Sequence, residues 1–140
     1  MIFGQGFNDL FVIRVAGNVL GNAILGTLQY AGLHLRTPLF VVMGHEGCGA
    51  VDAAIASKFH GVVQKSRIEI LLGNIVPALD DLDASQPHEA LLHAAVEANV
   101  RRTVRALVET PEVQARLMEG HMKLIGAVYE LESGRVRFLD

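Results

Sequence analysis

The sequence contains a single cysteine, Cys48, so no disulfide can form within the chain. It also has no excess of basic residues: 12 Lys and Arg stand against 15 Asp and Glu, and a net charge of −3 offers no electrostatic footprint for nucleic acid. No apolar run is long enough to cross a bilayer, and the first residues show neither the basic region nor the long apolar region of a signal peptide. We therefore expect a protein of the reducing cytoplasm, without nucleic-acid or membrane partners.

Charged residues are also scarce. They make up 19% of the chain, against 51% hydrophobic residues and a mean hydropathy of +0.34. The composition is too apolar for a disordered chain, and 140 residues suffice for one domain with its own core. It is also unusually apolar for a monomer, so we expect a single domain over residues 1–140 that forms a homodimer or higher oligomer.

Apolar periodicity predicts that strands and helices alternate along the chain. Strands are predicted at 9–16, 39–43, 123–131 and 135–139. Helices are predicted at 22–35, 50–59, 68–79 and 92–107, and a last one begins at Pro111 and ends at Gly120. Pro77 should kink or interrupt the third helix. This order indicates an α/β fold: a mostly parallel sheet flanked by helices, with the last strand as an antiparallel edge.

The end of the second predicted strand carries the most informative motif. Residues Gly44–Gly49 read GHEGCG, which places His45 and Cys48 in a glycine-rich loop before a helix. Imidazole and thiolate are ligands that zinc prefers, and such loops hold the sites of open α/β sheets. A lone His-x-x-Cys is also compatible with a buried cysteine that only packs. The glycines could instead cradle a phosphate, although their spacing matches neither the dinucleotide fingerprint nor a P-loop.

Three segments together resemble the β-class carbonic anhydrases: residues 9–18 (DLFVIRVAGN), the strand and loop at 39–50, and Glu97–Val100 followed by residues 126–129 and Ser133-Gly134. The resemblance implies a zinc ion held by Cys, His and Cys, and hydration of carbon dioxide to bicarbonate. His45 and Cys48 match the second and third of these ligands. Phe11, Tyr30 and Gly49 match positions around the substrate pocket, although core packing would explain the two aromatic residues equally well.

The sequence departs from the family pattern at one element. The first zinc ligand of the family belongs to a Cys-x-Asp-x-Arg motif on a strand that precedes the segment matched by residues 1–6, and these 140 residues contain no such motif. The resemblance therefore assigns no catalytic Asp-Arg pair here. Asp9, Asp52 and the other histidines do not show ligand spacing, and Arg14 is expected in a structural ion pair.

The family strand that carries this motif lies between those matched by residues 9–16 and 39–43. We expect these two segments either to expose unpaired backbone groups or to pair with each other. With two protein ligands, zinc should bind weakly unless another chain supplies a third. The principal expectation is zinc-dependent hydration of carbon dioxide, with low activity for this chain alone. The alternative is a non-catalytic binding or assembly subunit of the same fold, and a nucleotide-binding module is a more distant one.

Overall fold

The computed structural model describes residues 2–140, which form five α-helices and three strands. The helices are α1 (Asn22–His34), α2 (Gly49–His60), α3 (Arg67–Ile75), α4 (His88–Val108) and α5 (Pro111–Met118). The strands are β1 (Leu39–His45), β2 (Lys123–Tyr129) and β3 (Val136–Leu139). Short 3₁₀ turns occupy Ala16–Asn18 and Val76–Leu79. None of the helices in this part of the chain is both long and apolar enough to cross a bilayer.

The sheet has the order β1-β2-β3. β1 and β2 are parallel and in register from Leu39 opposite Lys123 to His45 opposite Tyr129. β3 returns antiparallel to β2, after a tight turn in which Gly134 donates its N–H to the carbonyl oxygen of Glu130. The α/β class and the antiparallel last strand are thus confirmed.

The predicted strand at 9–16 is wrong. Residues 10–15 form no helix or turn, and Val15 is extended (φ −140°, ψ 153°), but this segment pairs with no strand among residues 2–140. A β-strand needs a neighbour for its backbone groups, and β1 pairs only with β2 in the described chain. Of the two outcomes expected from the sequence, unpaired backbone is the one observed.

The helix boundaries follow the local chemistry of the chain. The hydroxyl of Ser66 accepts a hydrogen bond from the N–H of Ile68 and caps α3. α3 ends at Ile75, and Pro77 lies in the 3₁₀ turn that follows, which confirms the predicted interruption. Pro111 occupies the first position of α5, as predicted, because its missing N–H would have no helical partner there.

The core forms where α2 packs against α3 and α4, and where α4 covers the sheet. Its buried centre includes Ile55, Ile75, Leu79, Val100 and Val128. α4 lies very close to β1: a Cβ added at Gly44 would stand 2.8 Å from Cγ2 of Val100. Glycine at this position therefore sets the distance between helix and sheet, directly before the loop that carries His45.

Candidate metal site

The loop after β1 is held by the end of β2. The N–H of Glu46 donates to the carbonyl oxygen of Tyr129 (3.0 Å), which extends the parallel pairing by one bond. The carboxylate of Glu46 accepts a hydrogen bond from the N–H of Leu131 at 2.8 Å. Two bonds from one residue thus fix the start of the loop, and the site is built on the rigid end of the sheet.

The ring of His45 is oriented by its neighbour. Its Nδ1 lies 2.8 Å from the carbonyl oxygen of Glu46. A carbonyl oxygen can only accept, so Nδ1 carries the hydrogen and donates it. In the neutral ring this leaves the lone pair on Nε2 free to bind a metal, and an Nδ1–H bond to a backbone carbonyl is the usual way in which proteins orient a ligating histidine.

Cys48 stands at the N-cap of α2 and is only 6% exposed. Its carbonyl oxygen accepts the first helical bond, from the N–H of Asp52 at 2.9 Å, while its side chain makes no capping hydrogen bond. The start of the helix is predicted correctly to within one residue. A thiol at this place is close to the partial positive charge of the helix terminus.

His45, Cys48 and Gly49 line one cavity of about 400 Å³. Its other wall comes from the unpaired segment, through residues 14–18, and this wall includes Arg14. The cavity therefore lies between the carboxyl end of β1 and the carboxyl end of the extended segment. The structural ion pair expected for Arg14 is not observed: within residues 2–140 its guanidinium makes neither a salt bridge nor a hydrogen bond.

Phe11 and Tyr30 lie outside the lining of this cavity. Phe11 is 49% exposed and belongs to the unpaired segment. Tyr30 is 55% exposed and stacks on His34, with 4.6 Å between the ring centroids. Neither ring is a core residue in the described chain, and their role at the substrate pocket remains a prediction.

A third ligand does not come from the part of the chain that the structure describes. No group of three or more His, Cys, Asp or Glu side chains in residues 2–140 is arranged to hold a metal ion. The two carboxylates considered from the sequence have other partners: Asp9 accepts from the N–H of Gly6 at 2.8 Å, and Asp52 lies 3.2 Å from Nε2 of His88. The donors that fit zinc here are His45 and Cys48, two of the three or four that stable sites use.

One structural element beside the cavity was not predicted from the sequence, a buried amide network behind the cavity wall. Asn99 on α4 is 2% exposed, and its Nδ2 donates to the carbonyl oxygen of Gly17 (2.7 Å) and to Oδ1 of Asn18 (3.3 Å). Asn18 in turn donates to the hydroxyl of Thr103 at 3.1 Å. Gly17 has φ +62°, a conformation that favours glycine. The signal in the sequence that could have indicated this network was a polar residue, Asn99, on the apolar face of α4, next to Val100.

Known proteins resemble the chain along its whole length. Residues 1–136 match the family described as carbonic anhydrase. The chain is 32% identical to carbonic anhydrase 2 of Mycobacterium tuberculosis over 100% of its own length and 67% of that protein, and 32% identical to a carbonic anhydrase of Mycolicibacterium smegmatis over 97% and 66%. It spans about two thirds of the length of these relatives.

Two solved structures extend the comparison to the fold. The β-carbonic anhydrase CafA of Aspergillus fumigatus superimposes with a TM-score of 0.87 at 27% identity, over 99% of this chain and 67% of that one. The β-carbonic anhydrase CcaA gives a TM-score of 0.84 at 25% identity, over 99% and 71%. Sequence and fold agree, and the chain belongs to the carbonic anhydrase family, in its β class.

Proposed function

We propose that this protein takes part in the zinc-dependent hydration of carbon dioxide to bicarbonate, with His45 and Cys48 as the zinc ligands that this chain supplies. The observation that carries the proposal is the meeting of these two side chains on one cavity at the end of β1. Family membership supports the reaction, since the relatives are carbonic anhydrases by name.

The donor chemistry supports zinc as the cofactor. His45 offers Nε2 because its Nδ1 is bonded to a backbone carbonyl, and Cys48 offers a sulfur at the start of a helix. Zinc, when bound, supplies a Lewis acid that brings the pKa of a coordinated water to about 7. The chain's own contribution is to hold the two ligands on a loop that Glu46 ties to β2.

The apolar part of the cavity wall suits an uncharged substrate. Apolar side chains from both sides, Val15, Met43 and Ala50, stand beside the two ligands. Carbon dioxide carries no net charge, so these three side chains can contact it near the ligands without a desolvation cost of the kind that ions incur.

The proposal requires a third protein donor from another chain or segment. We therefore expect zinc to bind residues 1–140 weakly, and activity to rise when a strand with a Cys-x-Asp-x-Arg motif is joined to them. A lost outer-shell partner typically reduces affinity or activity by about 10–100-fold, and a lost direct ligand should cost more.

Metal analysis and a stopped-flow hydration assay test the proposal on the chain alone and on the chain joined to such a strand. In the longer protein, His45→Ala and Cys48→Ser should each lower bound zinc and hydration rate together. His60→Ala, which removes an exposed histidine at the end of α2, is the matched control and should change neither. A longer protein that binds zinc but remains inert would contradict the enzymatic proposal and favour a non-catalytic binding or assembly subunit.

We also propose that the protein acts as an oligomer in the cytoplasm. One solved neighbour, which shares the fold at 21% identity, is described as tetrameric. Large apolar side chains on the surface, among them Leu33, Ile70 and Met118, are each at least two thirds exposed and would be covered by a second subunit. A lone cysteine that serves as a ligand suits a reducing compartment.

A further inference from the structure

Charged and titratable side chains form a cluster where α4 meets β3 and the turn before it. We call it the His93 cluster: His93, Glu97 and Arg101 come from α4, Glu130 from the start of the turn, and Arg137 from β3. The guanidinium of Arg137 lies at its centre. Its Nη2 donates to Oε1 of Glu97 at 2.7 Å, and its Nε lies 3.6 Å from Oε1 of Glu130. The cluster therefore attaches β3 to the helix that covers the sheet.

His93 takes part in this cluster as a neutral ring. Its Nε2 lies 3.3 Å from Nη2 of Arg137. A guanidinium can only donate, so Nε2 accepts, and the hydrogen of the ring is on Nδ1, which lies 3.7 Å from Oε1 of Glu97. The observed contact between His93 and Arg137 therefore requires that Nε2 carry no proton.

A second proton on His93 would act against both arrangements of Arg137 on α4. It would place an N–H group opposite the N–H of the guanidinium, so that two cations stood at hydrogen-bond distance. It would also strengthen the attraction of the ring to Glu97, and His93 would then compete with Arg137 for the same oxygen, Oε1. Of the contacts described for Arg137, only that to Glu130 would remain unopposed. Protonation of His93 thus weakens the attachment of β3 to α4.

The other charges near His93 come from α4 itself. Glu89 and Glu97 lie one helical turn to either side of it. Arg101 approaches the second oxygen of Glu97 at 3.9 Å, so this carboxylate is already shared by two arginines. Arg137 is the charged residue of β3, whose sequence is VRFL. Within the cluster the two arginines balance the two carboxylates, so a proton on His93 leaves an excess of positive charge.

The turn that this cluster holds also holds the loop of His45. The N–H of Glu130 donates to the carbonyl oxygen of Arg135 at 2.9 Å, which joins the turn at residues 130–135 to β3 in one hairpin. The next residue, Leu131, donates its N–H to the carboxylate of Glu46 at 2.8 Å. A hairpin that moves away from α4 would therefore loosen the bond that fixes this loop.

We propose that the His93 cluster is a proton-controlled attachment of the hairpin to α4. With His93 neutral, Arg137 holds β3 and the turn at 130–135 in place, and with His93 protonated the hairpin becomes more mobile. Histidine is the side chain that ordinarily changes charge between about pH 5 and 8, so the attachment responds in that range. The proposal does not rest on zinc or on carbon dioxide hydration.

Amide hydrogen exchange at about pH 8 and about pH 5, corrected for the intrinsic effect of pH on exchange, tests the proposal. In the original protein, protection of residues 130–139 should fall by about two- to fivefold at the lower pH, the range expected for partly exposed ion pairs. His93→Gln keeps a neutral acceptor for Arg137 and should remain protected at both pH values. His93→Lys carries a fixed positive charge and should be less protected at both.

His88→Gln is the matched control, because it removes another exposed histidine that lies beside a carboxylate, that of Asp52. It should keep the pH response of residues 130–139, and exchange within α2 should show that each variant is folded. A response that is absent from the original protein, or that persists in His93→Gln, would overturn the proposal. Low protection of His93→Gln at both pH values would overturn it too, as would full protection of His93→Lys.

Discussion

Gly44 is the residue at which the contact between sheet and helix is tightest. A methyl group there would lie 2.8 Å from Val100 and 3.1 Å from Val96, both on α4, the helix that covers the sheet. Gly44→Ala should therefore lower the free energy of unfolding by about 1–3 kcal/mol, the usual cost of overpacking. Chemical denaturation of the original protein and of the variant measures this difference in the free energy of unfolding.

Gly26→Ala is the matched control. Gly26 lies inside α1, is exposed, and has open space where the methyl group would be. The same substitution should raise the free energy of unfolding there by about 0.5–1 kcal/mol, because alanine is the better helix former. Equal effects at the two glycines would contradict the close approach of α4 to β1.

Asp83 provides a prediction about pH. Hydrogen bonds from the hydroxyl of Ser85 (2.7 Å) and from its backbone N–H (2.9 Å) lower the pKa of Asp83 below its usual value of 3.8. A carboxyl whose pKa is lower in the folded state favours folding at higher pH, and this contribution is lost as pH falls through the acid range toward the folded pKa. We therefore expect this small contribution to the free energy of unfolding to be lost only at acid pH.

An NMR titration of Asp83 checks the cause. Ser85→Ala removes the hydroxyl, which has the larger effect, and should raise the pKa of Asp83 while the backbone bond keeps part of the shift. Ser133→Ala, which removes a similar hydroxyl donor to Glu130, should leave Asp83 unchanged. An unchanged pKa in Ser85→Ala would show that the hydroxyl bond does not form in solution.

At the scale of elements, Asn99 attaches α4 to the turn that forms one wall of the cavity. Asn99→Ala leaves the carbonyl oxygen of the buried Gly17 without its donor, and an unpaired buried group costs about 1–3 kcal/mol. Asn74→Ala, which removes an exposed amide on α3, should change stability by less than about 0.5 kcal/mol. Thermal or chemical unfolding compares the two.

The same variant should act on the site. In Asn99→Ala the turn at residues 16–18 keeps only its hydrogen bonds to Thr103 on α4, so amide exchange there should become faster while exchange within β2 is retained. If both variants unfold alike and exchange at the turn is unchanged, the amide network does not hold the cavity wall.

Elements differed in how well the sequence predicted them. The helices α3 and α5 and the strand β1 were predictable because their signals are local: apolar residues at helical spacing, Pro111, and an apolar run before glycine. The segment 9–16 has an equally strong local pattern, but a strand exists only with a partner, and its own sequence does not contain that information. His45 and Cys48 were proposed as ligands for the same local reason, as a motif in a loop, and the structure places both on one cavity. Asn99 was missed because its partner, Gly17, is far away in the sequence.

At the scale of the whole molecule, the exposed apolar surface predicts association. Phe7, Leu33, Val63, Ile70 and Met118 are all at least two thirds exposed, which is costly for a free monomer. We expect the chain to sediment as a dimer or larger species at micromolar concentration. A well-folded monomer at that concentration would contradict this, and Ile70→Glu should weaken the association if α3 takes part in the contact.

Zinc content provides a second prediction for the whole molecule. The described chain holds no group of three or more possible ligands, so if zinc is held by the proposed pair, His45 and Cys48, the protein should lose most of it on dialysis against a mild chelator. Full retention of one zinc per chain would contradict the two-ligand account.

The parallel pairing of β1 with β2 has a consequence for how the protein is made. Leu39 pairs with Lys123, and the loop at Glu46 is fixed by Tyr129 and Leu131, so its supports come from residues far later in the sequence. During synthesis, His45 and Cys48 leave the ribosome long before these supports exist. If the two side chains bind zinc as proposed, a fixed loop for metal uptake must wait until residues 123–131 have been made, and until then the growing chain exposes an apolar strand to chaperones and to other nascent chains.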